Sequence, residues 1–351
     1  MFAIGVDLGG TNLRVAVVNA NGSLLEKLTT GTQISRGRDR VISEMCDDIR
    51  ALAAKFTSAG SEFGGIGIGV PGIIDMATGF LRESPNLPGW DNYPVRDEIE
   101  QRVGTRVVLE NDANAAAMGE KWLGAGRDTD GSGERNDMCM LTLGTGVGGG
   151  LILNGRIWHG MTGMAGELGH ITVEPEGQRC GCGNRGCVEQ YASATAVVRM
   201  AREMSESGEA PELADALREN PEFSSKIVYQ MALQGNEAAR GIFRRVGRAL
   251  GIVVADMVNI LNLPMFVVGG GVASAWDAFA PAMFEEIRQR SFVYAATAPS
   301  DTGKIEHDRT IITRALLGSD AGLFGAARLP MLSSDAGSAT ELSQERERKT
   351  A

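Results

Sequence analysis

No stretch of this sequence stays apolar long enough to cross a membrane. The longest candidate, Leu250 to Ala275, is broken by Asp256, Asn259, Asn262, Pro264 and a glycine triplet. It falls short of the roughly 18 apolar residues that a span needs. Asp7 interrupts the first apolar run, so no secretory signal opens the chain, and a soluble, cytoplasmic protein is expected. Positive charge is in deficit: 34 Lys and Arg stand against 44 Asp and Glu, a formal charge of −10. Such a surface repels phosphate backbones and anionic lipid on average, which argues against a general nucleic-acid or membrane binder. Five cysteines are too few to staple a chain of 351 residues. Aromatics make up only 5%, so the core must be built mainly from Val, Ile, Leu, Met and Ala. No G-x-x-x-x-G-K-[ST] segment occurs, which removes the Walker A route to a nucleotide.

Glycine, by contrast, is abundant at 47 residues, and it is clustered. The length suggests about two domains. Ile4, Val6 and Leu8 alternate as in a strand, Gly9-Gly10-Thr11 turns the chain, and Leu13, Val15 and Val17 alternate back. Asn21-Gly22 is a hairpin signal that places a third antiparallel strand from Leu24. Val41, Met45, Ile49, Leu52 and Phe56 fit an amphipathic helix, Gly65 to Val70 and Thr105 to Leu109 read as strands, and the Ala-rich run 113–123 reads as a helix. Asp128 to Asp137 is a polar insert expected to be a mobile loop. After it the opening pattern returns. Met140 to Leu143 is a strand, Gly144 to Gly150 a glycine turn, Leu151 to Leu153 the returning strand, and Asn154-Gly155 the hairpin signal. Two copies of strand, glycine turn, strand and Asn-Gly point to an internally duplicated α/β fold. Helices dominate from Thr195 to Ile260, and a buried strand from Met265 to Val268 ends in Gly269-Gly270-Gly271. The polar, charged stretch 333–351 is expected to be disordered.

Glycines between two strands expose backbone N–H groups and let an anion approach closely. Thr11 and Asn12 add side-chain donors, and an Asp at a strand end, Asp7, can hold Mg²⁺ through water. A plain glycine hairpin would explain one such turn. Two of them can clamp a polyphosphate. The pattern G-x-G-x-x-G occurs at Gly67-Gly69-Gly72 and Gly144-Gly146-Gly149, but neither copy opens a helix as the dinucleotide motif requires. Glu110-Asn111-Asp112 lies between a buried strand and the Ala-rich helix. A helix cap would account for one of these side chains. Three in a row exceed that need, and Asp112 is the favoured general base for phosphoryl transfer to an alcohol. His170, Cys180, Cys182 and Cys187 form a Cys₃His set, the preferred ligands of tetrahedral zinc, and a saturated set makes the metal structural. Cys46 and Cys139 read as buried thiols. His159 and His307 have no identifiable partner. Glu83 to Trp90 reads as a stiff connector anchored by Trp90, or as a polyol grip.

The residues quoted above resemble those of the ROK family (repressors, open reading frames and kinases), and most closely its bacterial glucokinases. The likeness is carried by Asp7 to Asn12, Ser84 to Trp90, Glu110 to Ala115, Leu143 to Gly150, Ala165 to His170 and Cys180 to Glu189, and it runs from Phe2 to about Leu329. It implies an actin-like ATPase (duplicated ribonuclease H-like) fold of two α/β domains with an active-site cleft. The division expected is 1–117 plus about 310–332 as a small domain, 118–309 as a large domain with the zinc loop, and 333–351 as a tail. The resemblance implies ATP-dependent phosphorylation of glucose with ATP, Mg²⁺ and structural Zn²⁺. Phosphate loops map to Gly9-Gly10-Thr11 and Gly144-Thr145-Gly146, the adenosine loop to Gly269-Gly270-Gly271, and the base to Asp112. Sugar contacts map to Gly72, Asn86, Asn111, Glu167, His170 and Glu189, with His170 touching both zinc and sugar. A homodimer or homotetramer is implied. With Asp7 so near the start, the helix-turn-helix that many repressors of this family carry is not expected. The alternatives are a kinase for N-acetylmannosamine, N-acetylglucosamine, mannose or fructose, polyphosphate in place of ATP, or a non-catalytic sugar sensor.

Overall fold

The computed structural model describes residues 1–127, 133–299 and 309–332. Within these, two compact units separate. One comprises Met1–Glu134, Ile157–Ala165 and the chain from Ser319; the other comprises Arg135–Arg156 and Gly166–Gly318.

The first unit is built on a five-stranded sheet. β1 (Phe2–Leu8), β2 (Asn12–Asn19) and β3 (Leu24–Gly31) form an antiparallel meander; β4 (Phe63–Val70) pairs parallel to β1. The hairpin of β5 (Ile73–Asp75) and β6 (Phe80–Glu83) follows, and β7 (Val107–Asn111) closes the order β3-β2-β1-β4-β7. Helices α1 (Arg38–Ser58), α2 (Val95–Val103) and α3 (Asp112–Leu123) are joined by a C-terminal helical stretch at 321–332. The core is Ile4, Val6, Leu8, Met45, Ile49, Ile66 and Ile68, all essentially solvent-free, as the scarcity of aromatics requires. Each such side chain contributes about 1.5–3 kcal/mol of burial.

The Ala-rich composition of α3 has a packing cause. A Cβ at Gly119 would lie 2.0 Å from the Ala321 carbonyl oxygen, and one at Gly325 only 1.7 Å from that of Ala115. The two helices touch backbone to backbone, which only small residues allow. Gly67 is likewise jammed against the Ala326 carbonyl and Gly65 against Pro330, so these two glycines of β4 are required by packing.

The second unit repeats the plan. β8 (Met138–Leu143), β9 (Val147–Leu153) and β10 (Arg156–Ile157) form the meander, and β11 (Met265–Gly269) and β12 (Ile311–Arg314) run parallel in the order β10-β9-β8-β11-β12. Seven helices complete its described residues: α4 (Glu189–Ala192), α5 (Ala194–Glu206), α6 (Pro211–Glu219), α7 (Ser225–Leu233), α8 (Glu237–Leu261), α9 (Trp276–Arg290) and α10 (Phe292–Thr297). Gly247 and Gly251 let α8 lie directly on α9: a Cβ at Gly247 would sit 2.2 Å from the Phe279 carbonyl oxygen.

Several expectations need adjustment at this level. A boundary at residue 117 would cut α3, which is one continuous helix kept with the first unit. Residues 311–314 stay with the second sheet, because β12 pairs with β11. The insert at 128–137 is described from residue 133: Glu134 pairs with Lys121, and Asp137 accepts the Asn154 amide at 2.7 Å. Residues 128–132, His307 and the tail 333–351 lie outside the described residues. Among the described residues no helix is long and apolar enough to cross a membrane.

Candidate active site

The first unit gathers its candidate residues at the C-terminal ends of β1 and β7. The turn after β1 is closed by Gly9 N donating to Asn12 O at 2.9 Å and by the Thr32 hydroxyl donating to Gly9 O at 2.6 Å. Gly10 is required by its neighbour, since a Cβ there would meet the Asn86 carbonyl oxygen at 2.9 Å. The loop 84–90 therefore rests on the glycine turn. Trp90 and Leu87 are its buried anchors, while Asn86 is exposed. Both readings of this loop are compatible with that division: the apolar residues fasten it and the amide faces outward. Asp7 takes a 3.2 Å contact from Arg14. Burial raises its pKa against the pull of Arg14, with Asp320 adding to the rise.

At the end of β7 the sequence reading needs refinement. The helix cap is Asn111, whose Oδ1 accepts the amides of Ala113 and Asn114 at 2.9 and 3.2 Å. Its Nδ2 donates to Gly72 O at 3.1 Å. A cap of this kind is worth about 1 kcal/mol. Capping is thus done by the amide, and Asp112 stands as the first helical residue, its Oδ1 accepting the Ala113 amide at 2.9 Å. Gly72, at φ +119°, is confined between Asn111 and the Glu83 carbonyl, so only glycine fits.

His159 does have a partner. Its Nε2 lies 2.7 Å from Oε2 of Glu110, a carboxylate that is 2% exposed. This hydrogen bond raises the His159 pKa, overriding the opposing effect of burial. Sequence reading missed the pair because 49 residues separate the two and neither lies in a repeating pattern.

The second unit holds the other set. Gly144 N donates to Gly146 O at 2.9 Å, closing the turn after β8. The start of α5 supports it: Ala194 N donates to Gly144 O at 2.9 Å and Thr195 Oγ1 to Thr145 O at 2.8 Å. Gly146 abuts Glu189, whose Oε2 accepts the Val147 amide at 3.0 Å. Gly270, at φ +86°, packs on the backbone of Leu143, so the triplet Gly269-Gly270-Gly271 lies beside the end of β8.

His170, Cys180, Cys182 and Cys187 converge, with all four ligand atoms within 4.8 Å of one another. His170 Nδ1 lies 3.6 Å from Cys180 Sγ, and the sulfurs of Cys182 and Cys187 lie 3.7 Å apart. A tetrahedral zinc with bonds of about 2.3 Å to sulfur and about 2.05 Å to nitrogen has edges of roughly 3.8 and 3.6 Å. The donor set fits that ion. The other ring nitrogen of His170, Nε2, is turned toward Glu167 at 3.9 Å. Cys46 and Cys139 are buried thiols pushed up to about 11 and about 12 by burial.

A family description, "ROK family", matches residues 3–331. The chain is 40% identical over 335 residues to a glucokinase of Thermotoga maritima, covering 93% of this chain and 96% of that protein. It is 36% identical over 327 residues to a glucokinase of Halalkalibacterium halodurans, with coverage of 93% and 94%. Among solved structures it is similar to a ROK family glucokinase from Streptomyces griseus in complex with glucose and AMPPNP. That likeness has a TM-score of 0.73 at 34% identity and covers 94% of this chain and 99% of that one. With the duplicated sheet order, the likeness makes this the actin-like ATPase fold, of two α/β domains.

Proposed function

This chain belongs to the ROK family, and from that premise we propose that it transfers the γ-phosphoryl group of ATP to the 6-hydroxyl of glucose. One observation carries the reading. Asp112 stands as the first residue of α3, on a capped strand end, in a chain 34% identical to a ROK glucokinase structure that holds glucose and AMPPNP.

Asp112 is the proton acceptor for the sugar hydroxyl. A carboxylate is suited to this because the hydroxyl acidifies only as its bond to phosphorus forms. Its place at a helix N-terminus, fixed by the Asn111 cap, limits the directions it can take. Gly72, Asn86, Asn111, Glu167, His170 and Glu189 are assigned to the sugar. Carboxylate and amide oxygens accept from its hydroxyls, and the amide of Asn86 and Nε2 of His170 offer complementary groups. The N–H groups of Gly10, Thr11 and Asn12, and of Thr145 and Gly146, meet the phosphates, while those of Gly9 and Gly144 close their turns. Preorganised donors of this kind stabilise developing charge without reorganising at the moment of reaction. Of the triplet Gly269-Gly270-Gly271, the first is buried at the end of β11, and the exposed Gly270 and Gly271 leave a surface without side chains for the adenosine.

His170, Cys180, Cys182 and Cys187 would hold zinc and leave it no open position, so the ion would serve to fix the loop that presents Glu167 and His170. Asp7 would meet the magnesium ion of the nucleotide, which offsets phosphate charge. A cytoplasmic homodimer or homotetramer completes the reading.

The test is a coupled kinase assay with Mg-ATP, and separately with polyphosphate, on glucose, mannose, fructose, N-acetylglucosamine and N-acetylmannosamine. The expected result is ATP-dependent turnover with the highest kcat/KM on glucose. Preference for another hexose would reassign the acceptor. Sugar binding without turnover on any of them would make the chain a sensor.

A further inference from the structure

Glu110 is a buried carboxylate to which neither the cap of α3 nor the proposed chemistry gives a task. A charge at such a depth is costly unless it is paired and fully hydrogen-bonded. Here one carboxylate oxygen leads to the neighbours of Asp112 and the other to a distant imidazole. Its Oε1 accepts the Asn111 amide at 2.9 Å and the Asn114 side-chain amide at 3.0 Å. Its Oε2 is held by His159 at 2.7 Å. The residues on both sides of Asp112 are therefore tied to one carboxylate, and that carboxylate is tied to one imidazole.

The imidazole comes from a distant stretch of chain. His159 lies in the segment Ile157–Ala165, which packs with the first unit, although the residues before and after it belong to the second. The Ala165 amide donates to His159 O at 3.2 Å, closing the loop on itself. Two residues further along the chain is Glu167, and five residues further is His170.

We propose that His159 is a positioning residue for Asp112: by holding Glu110 it fixes the strand end and first helical turn that present the proton acceptor. The proposal rests on the kinase reading for its kinetic consequence. Its structural consequence stands apart from that reading. The hydrogen bond keeps the ring protonated to higher pH than a free imidazole, so the brace is a charged one over more of the neutral range.

The variants are H159A, H159Q and E110Q. Glutamine at 159 retains an N–H that can reach the carboxylate, whereas alanine retains nothing. Small displacements of a reacting group can cost up to ~100-fold, so H159A is expected to lose at least ~10-fold in kcat, keep the KM for ATP within ~2-fold, and regain most of kcat as H159Q. Hydrogen exchange at the amides of residues 110–114, read by mass spectrometry, should quicken in H159A and E110Q and return toward wild type in H159Q.

A kcat for H159A within ~2-fold of wild type overturns the proposal. So does a loss in H159A and H159Q alike that follows their melting temperatures, since that marks a merely structural pair. If the wild-type chain phosphorylates none of the sugars, the kinase reading fails, and the exchange pattern alone decides the brace. Quickening confined to residues 110–114 and rescued by glutamine then supports it, and unchanged exchange overturns it.

Discussion

The carboxylate of Glu189 accepts the amide hydrogen of Val147 at 3.0 Å, joining residues 42 positions apart. One end of this contact is the residue that follows the second glycine turn. The other end is the carboxylate assigned to the sugar. The parts proposed for the two substrates thus share a hydrogen bond, and Gly146 lies against the same carboxylate.

Gly146→Ala tests that junction. Its new Cβ would lie 2.4 Å from Glu189 Oε2, so the carboxylate must shift. The expected outcome is a loss of ~10-fold or more in kcat/KM, with the KM for glucose rising as well as that for ATP. Steady-state kinetics with each substrate varied in turn checks it. A rise in the ATP constant alone would mean that the contact does not carry between the two.

Asp112→Asn keeps the shape of the side chain and removes its basicity. Turnover should fall by ~10²–10⁴-fold, the usual span for a general base. Glucose binding, followed by calorimetry, should change little. Near-normal turnover would remove Asp112 from the role.

Zinc removal is expected to act on the sugar and not on the nucleotide. The purified chain should carry about one zinc per polypeptide, and Cys187→Ser should lose most of it, because a structural site needs its full ligand set. The KM for glucose should rise ~10-fold or more as the support of Glu167 and His170 loosens. Elemental analysis alongside kinetics decides it; a zinc-poor variant with an unchanged glucose constant would sever metal from sugar.

The His159–Glu110 pair gives a pH dependence of definite sign. The folded-state pKa of His159 is raised, and the charge facing it is that of Glu110. Its contribution to stability is therefore fully present below the unfolded value and is lost as pH rises through the raised one. Wild type should exceed E110Q in melting temperature most at mildly acidic pH, with the gap narrowing toward alkaline pH. Thermal scans across that range give the answer, and a gap that widens with pH would contradict the assignment.

Much of this was legible in the chain itself, for a physical reason. The strand alternation around Gly9 and Gly144 and the Cys₃His spacing are local signals, and both sheets formed where the alternation placed them. The helix at 113–123 was readable from its alanines, though not the reason for them, which is contact with a helical stretch two hundred residues later. The β5–β6 hairpin and α2 were missed, because short elements carry too few residues for a period to emerge. At Asn111-Asp112 composition announced a cap without saying which residue would serve, and the geometry gave the task to the amide. Glu110 stood in the polar triplet without a task of its own, and its pairing with His159 left no trace, since a single long-range pair has no periodicity.

The two sheets share one strand order, yet they brace their glycine turns differently. The first leans on a backbone carbonyl, that of Asn86, and the second on a side-chain carboxylate, that of Glu189. The two copies are therefore not interchangeable parts. A chimaera carrying the first half twice would keep both glycine turns and lose the acidic brace, and one carrying the second half twice would have no Asn111-Asp112 pair. Either chimaera would lack a part that the proposed chemistry uses, so the two halves are complements and not spares.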